Sequence, residues 1–189
     1  MTAIPVKPPR LIGLTGYAGT GKDSVRAALE HEHGFTGLAF AEPMRGMLRE
    51  LLTSSGIGAD WMDERALKEA VIPALGVSYR HLAQTLGTEW GRALHPDFWL
   101  RIAGSFIADR MGAGATCFVV SDVRFVNEAG WVRAHGGAIW RVHRPSAAPV
   151  RAHQSEAEVD DIRPDWTLHN TGSLADLREL VGEALEAWL

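Results

Sequence analysis

The chain has 189 residues, enough for one full core, with 46% hydrophobic and 22% charged residues, as in ordinary globular proteins. Its net charge of −4 argues against a non-specific nucleic-acid binder, and no apolar stretch is long enough to span a membrane as a helix. The single cysteine, Cys117, permits no disulfide within one chain, which fits a reducing cytoplasm.

Sixteen of the 19 basic residues are Arg, a bias that suits bidentate phosphate recognition but that GC-rich coding also produces. Residues 1–9, with Pro5, Pro8 and Pro9, read as a flexible N-terminal tail. Residues 10–24 then combine three signals: an apolar strand (Leu11, Ile12, Leu14), a glycine-rich turn, and a helix with Val25, Ala28 and Leu29 on one face. That is the strand–loop–helix setting of a phosphate-binding loop. Gly16, Gly21 and Lys22 meet the G-x-x-x-x-G-K spacing, with Ala18, Gly19 and Thr20 inside the loop. The glycines let successive N–H groups turn inward toward phosphate oxygens, and the positive end of the helix adds to that field. Lys22 is placed to reach the β- and γ-phosphates. The Mg2+ position, normally Ser or Thr, is Asp23, with Ser24 one residue later.

The helix is expected over 23–33 with Gly34 as its stop, and a second strand over 35–40. Met44, Met47, Leu48, Leu51 and Leu52 recur at helical spacing and are expected to face a core. Glu42 and Arg45 stand where strand hands over to helix, the ligand end of an α/β sheet, although a solvated helix start reads equally well. Residues 53–60 read as a loop and 61–69 as a charged, mobile helix broken at 73–76. Ser78 caps a helix carrying Leu82, Thr85, Leu86 and Trp90. Arg80, Gln84, Glu89 and Arg92 give this stretch more polar groups than a plain core helix needs. Pro96 and Asp97 open another helix, with Phe98, Ile102, Phe106 and Ile107 inward.

Residues 115–121 form a continuous apolar run, the kind of strand buried on both faces. Asp122 ends it, followed by Arg124. An acid there is a common ligand of Mg2+ or its water in phosphate-loop enzymes; pairing with Arg124 is the competing role. A helix to about 135 and a strand at 138–143 follow. Arg144 and Arg151 lie in a small-residue loop, about 144–152, that suits a lid. His153 and Glu156 have no second ligand pair, so no metal site is expected there. A last strand at 166–169 leads through Asn170 and Gly172 to a capping box, Ser173 with Asp176. The final helix is expected to bury Leu174, Leu177, Leu180, Val181 and Leu185.

Four segments carry a family resemblance: Gly16-Tyr-Ala-Gly-Thr-Gly-Lys-Asp-Ser24, Leu86-Gly-Thr-Glu-Trp-Gly-Arg92, Ser121-Asp-Val-Arg-Phe-Val-Asn-Glu128 and His153-Gln-Ser-Glu156. In this order they resemble the phage-type deoxynucleoside monophosphate kinases, in which Asp commonly stands at the position of Asp23. The chain departs from that pattern at Glu42 and Arg45, where the family more often has Asp and then Lys. The resemblance implies ATP-dependent phosphorylation of deoxynucleoside 5′-monophosphates to diphosphates, with ATP and Mg2+ as cofactors. Catalytic roles fall to Lys22, Asp122, Arg124 and Arg144. Gly16, Ala18, Gly19, Thr20, Gly21, Lys22, Asp23, Ser24, Asn170 and Gly172 are expected to bind ATP, the last two the adenine. Glu42, Arg45, Arg80, Gln84, Glu89, Arg92, Trp99 and Arg151 are expected on the substrate side, where Trp99 either stacks on the base or sits in the core. Asp23, Ser24 and Asp122 are the Mg2+ candidates.

The expected fold is an α/β three-layer sandwich of the P-loop class. A five-stranded parallel sheet, order 2-3-1-4-5 by analogy with related kinases, lies between helices. Residues 10–189 form the kinase domain, with an acceptor-binding insertion at about 41–111. No nucleic-acid polymer or membrane is an expected partner, a homodimer is compatible with the chain, and the location is the cytoplasm, that of the host if phage-encoded. Two alternatives stay open: a kinase like those acting on dephospho-coenzyme A or phosphomevalonate, and a non-enzymatic nucleotide sensor.

Overall fold

The computed structural model describes residues 10–147 and 158–188. They fall into two compact units, one running to Ala39 and resuming at Ala103, the other Phe40–Ile102.

The first unit is built on a five-stranded parallel sheet. Its strands are β1 (Arg10–Thr15), β2 (Thr36–Leu38), β5 (Cys117–Val120), β6 (Ala138–His143) and β7 (Trp166–His169), in the spatial order β2-β5-β1-β6-β7. Counted along the chain within this sheet, that is the expected 2-3-1-4-5. Register is set by pairs such as Ile12↔Val119 and Ile12↔Ala138. Alternation along β1 divides two faces. Ile12 and Leu14 join Trp140, Val142 and Leu168 beneath α1 (Lys22–His33) and α9 (Leu174–Trp188), which contribute Val25, Leu29, Leu177 and Val181. Each such buried side chain is worth about 1.5–3 kcal/mol. On the other face Gly13 lies against Ile139 and Val132, the latter from α8 (Val126–Ala134). Trp131 of α8 approaches Gly104 of α7 (Phe98–Gly112). Helices therefore cover both faces, the three-layer arrangement expected. Cys117 is only partly buried, packed at the margin of the core.

Residues 158–165 are pinned to this unit by main-chain and carboxylate bonds. The Arg141 guanidinium donates to the carbonyls of Val159 (2.8 Å) and Ile162 (2.6 Å). Glu158 accepts from the Val126 N–H at the start of α8, and Asp165 accepts from the Ile139 N–H.

The second unit holds α2 (Glu42–Ser54), the short helices α3 (Asp60–Asp63) and α4 (Arg65–Glu69), and a hairpin of β3 (Val71–Ile72) with β4 (Val77–Ser78). A helical stretch follows: α5 (Tyr79–Gln84), a π-helical segment (Thr85–Gly91) and α6 (Arg92–Leu94). Ser78 caps α5, its hydroxyl accepting from the His81 N–H at 3.2 Å. Several expectations need correction here. Residues 61–69 form two helices rather than one. The break at 73–76 is the turn of a hairpin whose two-residue strands leave no periodic signal. On α2 only Met44, Leu48 and Leu52 are buried, while Met47 and Leu51 face outward. Trp90, and Leu174 of the first unit, are also exposed. In each case apolar residues occupy more of the helix than the packed stripe can cover.

Candidate active site

The loop between β1 and α1 is shaped by three left-handed glycines, Gly16 (φ 136), Gly19 (φ 80) and Gly21 (φ 105). At Gly16 a Cβ would fall on the Val142 carbonyl, and at Gly21 it would lie 2.6 Å from the Asn170 amide nitrogen, so neither position admits a side chain. Thr20 is 2% exposed and its hydroxyl donates to the Tyr17 carbonyl at 3.0 Å. The buried Asn170 amide donates to the Thr20 carbonyl at 2.8 Å. The loop is thus preformed by its own residues and by the chain just past β7. Ala18 is half-buried and Gly19 exposed at its crest.

The Lys22 ammonium donates to the carbonyls of Gly16 (2.6 Å) and Tyr17 (2.7 Å), which arch over it. Asp23 is exposed and Ser24 half-buried in the first turn of α1, where helix geometry leaves N–H groups without an intrahelical acceptor. The Tyr17 hydroxyl donates to Asp160 at 2.5 Å.

Asp122 is placed by the backbone on each side of it. The Ser121 N–H donates to the Leu38 carbonyl of β2 and the Val123 N–H to the Leu14 carbonyl of β1, both at 3.0 Å. Asp122 is consequently held at the C-terminal edge of the sheet, 9% exposed, next to the strand that feeds the loop. The turn after it is fixed by Glu128, 5% exposed, whose carboxylate accepts from the N–H groups of Arg124 (2.8 Å) and Phe125 (3.1 Å). Sequence reasoning quoted Glu128 but gave it no role; its place at N3 of α8 is the available signal. The Arg124 guanidinium is half-buried and joins no ion pair among the described residues. Arg144 is exposed just beyond β6 in a turn closed by the Ala147 N–H. Gly172 is exposed, packed against Asp176. Arg151, most of the expected lid, and His153 to Glu156 lie outside the described residues.

In the second unit Glu42 and Arg45 form an exposed ion pair at 3.9 Å across the first turn of α2. Arg80 is bonded through Nε to Glu69. Gln84 and Arg92 are half-buried and Glu89 is exposed. Of the two places expected for Trp99 it takes the core: it is 6% exposed, with its indole N–H on the Gly87 carbonyl at 2.7 Å, so the ring fills this unit's interior rather than offering a stacking face. Sequence reasoning passed over Tyr79 and Arg49. Tyr79 is buried, and burial raises its hydroxyl pKa, an effect opposed by Arg45 and Arg49 and assisted by Asp63 and Glu42.

Among the described residues no cluster of three His, Cys, Asp or Glu offers a self-contained metal cage. One carboxylate at a strand edge beside a phosphate loop is nevertheless the donor set that Mg2+ accepts, since that ion keeps waters and takes further oxygens from substrate phosphates. No helix of the described residues is long and apolar enough to cross a membrane.

A parallel sheet in this order, a glycine loop ahead of α1, and an acid at the end of the neighbouring strand define a P-loop nucleotide-binding fold. The family model described as deoxynucleotide monophosphate kinase matches residues 63–181, and the chain belongs to that family. It is 31% identical over 163 residues to a putative deoxynucleotide monophosphate kinase of Acanthamoeba polyphaga mimivirus, covering 81% of this chain and 83% of that one. It is 28% identical over 148 residues to the deoxynucleotide monophosphate kinase of Escherichia phage RB69, covering 76% of this chain and 60% of the phage protein. Among solved structures it is similar in fold to a sugar kinase from Janibacter sp. HTCC2649, with a TM-score of 0.50, 14% identity and 95% of each chain covered. The protein is therefore a nucleotide-phosphorylating enzyme.

Proposed function

We propose that the chain transfers the γ-phosphoryl group of ATP to the 5′-phosphate of a deoxynucleoside monophosphate. The observation that carries this is the phosphate loop, with three left-handed glycines, a buried amide brace and Asp122 at the same sheet edge. The loop N–H groups and the α1 terminus hold the donor phosphates. Lys22 leaves the carbonyls of Gly16 and Tyr17 for the β- and γ-oxygens. Asp122, with Ser24 or Asp23, would hold Mg2+, which when bound neutralises charge on those oxygens.

The reaction forms a bond between an acceptor phosphate oxygen and the γ-phosphorus while the bond to the β–γ bridging oxygen breaks, and ADP leaves. A phosphate monoester, with a second pKa of about 6, is already largely a dianion at pH 7, so the acceptor needs no general base. Catalysis rests instead on positioning and charge neutralisation. Arg124 and Arg144 serve the migrating group, and Arg45, Arg80 and Arg92 the acceptor phosphate. Gln84 and Glu89 are the polar candidates for its base. Asn170 acts on ATP indirectly, through the shape of the loop.

Transfer from radiolabelled γ-ATP to a panel of deoxynucleoside monophosphates, dephospho-coenzyme A and phosphomevalonate tests the reading. Labelled deoxynucleoside diphosphates are expected. Product only from the latter two compounds would overturn it.

A further inference from the structure

The stretch Thr85–Gly91 is π-helical over seven residues, between α5 and α6. Such segments are rare, seldom exceed one turn, and are concentrated at functional positions. This one is locally unfavourable in two further ways. It contains Gly87 and Gly91, each a poor helix former. It also buries the Thr85 hydroxyl without a hydrogen-bond partner among the described residues.

What holds it is Trp99. The indole N–H donates to the Gly87 carbonyl at 2.7 Å, a bond to the main chain inside the π segment. The same indole lies so close to Gly91 that a Cβ there would be 2.6 Å from Nε1. Gly87 in turn leaves room for Met44, whose Sδ would lie 2.9 Å from a Cβ. The Phe98 ring packs edge-on to Trp99 with centroids 4.9 Å apart, and the Trp90 ring lies tilted to Trp99 at 6.5 Å. The two glycines and the tryptophan thus form one contact, and the rest of the segment is wound around it.

An i→i+5 ladder turns the chain less per residue than an i→i+4 ladder. Seven residues of it therefore re-aim whatever follows relative to whatever precedes. Gln84 stands immediately before the segment and Arg92 immediately after it. We propose that Trp99 is a positioning residue, which locks the π register of residues 85–91 and so sets the aim of Gln84 and Arg92 toward the acceptor. This role rests on the acceptor-side reading given above.

Trp99→Phe keeps a buried ring and removes the N–H. It should raise the acceptor KM about fivefold or more, with the ATP KM changed less than about twofold. Gly91→Ala disturbs the same contact from the helix side and should give the same split, which guards against a Trp99 variant that fails to fold. Because Trp99 acts through Gln84 and Arg92, the Trp99→Phe, Arg92→Ala double variant should show less loss than the two single-variant losses summed. Amide hydrogen exchange over residues 85–94 should rise in Trp99→Phe. Unchanged exchange, equal shifts in both KM values, or additive losses would overturn the proposal. The acceptor-side reading fails separately, if Arg92→Ala leaves the acceptor KM unchanged; hydrogen exchange over residues 85–94 in Trp99→Phe then still decides whether Trp99 sets the segment.

Discussion

The side-chain amide of Asn170 donates to the main-chain carbonyl of Thr20 at 2.8 Å, across 150 residues of chain. One bond therefore ties the end of the sheet's last strand to the loop after its first. Gly21 stands against the same amide, so no larger residue fits there while the brace is in place. Asn170→Ala leaves a buried carbonyl unpaired, which costs about 1–3 kcal/mol. Thermal melting should show that loss. The ATP KM should rise about fivefold, the equivalent of about 1 kcal/mol, because the loop is no longer held in its binding shape. An unchanged ATP KM would show that the loop keeps its shape without the brace.

Lys22→Met should remove turnover and leave the fold. The ammonium now bridges the carbonyls of Gly16 and Tyr17, so some loop rigidity goes with it. The larger effect is on the transition state, where loss of a charge clamp costs on the order of 3 kcal/mol, or over a hundredfold in kcat. The kcat at saturating ATP, with circular dichroism as a control on folding, checks this. A near-wild-type rate would sink the assignment.

How much of this was legible in the sequence varied by residue. The glycine loop was readable because left-handed backbone leaves few alternatives to glycine. The faces of α1 and α9 were readable because a helix packed on a sheet buries one stripe, although Leu174 shows that the end of a stripe can overhang. The Asn170 brace was not readable, since nothing local ties position 170 to position 20. Trp99 was ambiguous because a core indole and a stacking indole look alike in one dimension; burial and the Gly87 bond separate them. Met47 and Leu51 follow the same spacing as buried neighbours, and only the packing reveals which stripe faces inward.

Asp122→Asn separates two roles. Were Asp122 only to hold Arg124, its loss and that of Arg124 would be strongly non-additive. The Arg124 turn is already fixed by Glu128 through main-chain bonds, which weakens that reading. The expected outcome is a large fall in kcat, partly recovered at raised Mg2+ or with Mn2+, and additive with Arg124→Ala. Unchanged kcat with unchanged Mg2+ dependence would defeat both roles.

Tyr79 predicts behaviour in alkali. Burial raises its pKa, so the unfolded chain loses the hydroxyl proton first as pH rises. Between the two pKa values the folded state binds more protons, and stability falls with rising pH from about 10, the unperturbed Tyr value. Tyr79→Phe should remove this part of the alkaline destabilisation. Urea unfolding of both proteins from pH 8 to 11 tests it. Parallel curves would mean that Tyr79 contributes nothing to the pH dependence.

Asp176 predicts the opposite limb. Its carboxylate accepts from the Ser173 N–H at 2.6 Å, and the Ser173 hydroxyl accepts from the Asp176 N–H at 3.3 Å. The bond to the Ser173 backbone, then that to its hydroxyl, holds the carboxyl pKa below its ordinary value. A depressed pKa means that the folded state favours the ionised form. Its contribution to stability is therefore complete above the unfolded-state pKa, near 4, and disappears as pH falls through the folded value. The group is exposed, so salt and solvent keep the contribution small. Asp176→Asn should be less stable than wild type at pH 7, where α9 loses its charged cap. The two proteins should converge as acid protonates Asp176 in the wild type. Urea titrations at pH 7, 5, 4 and 3 measure the gap. A gap independent of pH would mean that the carboxylate's charge does not stabilise the start of α9.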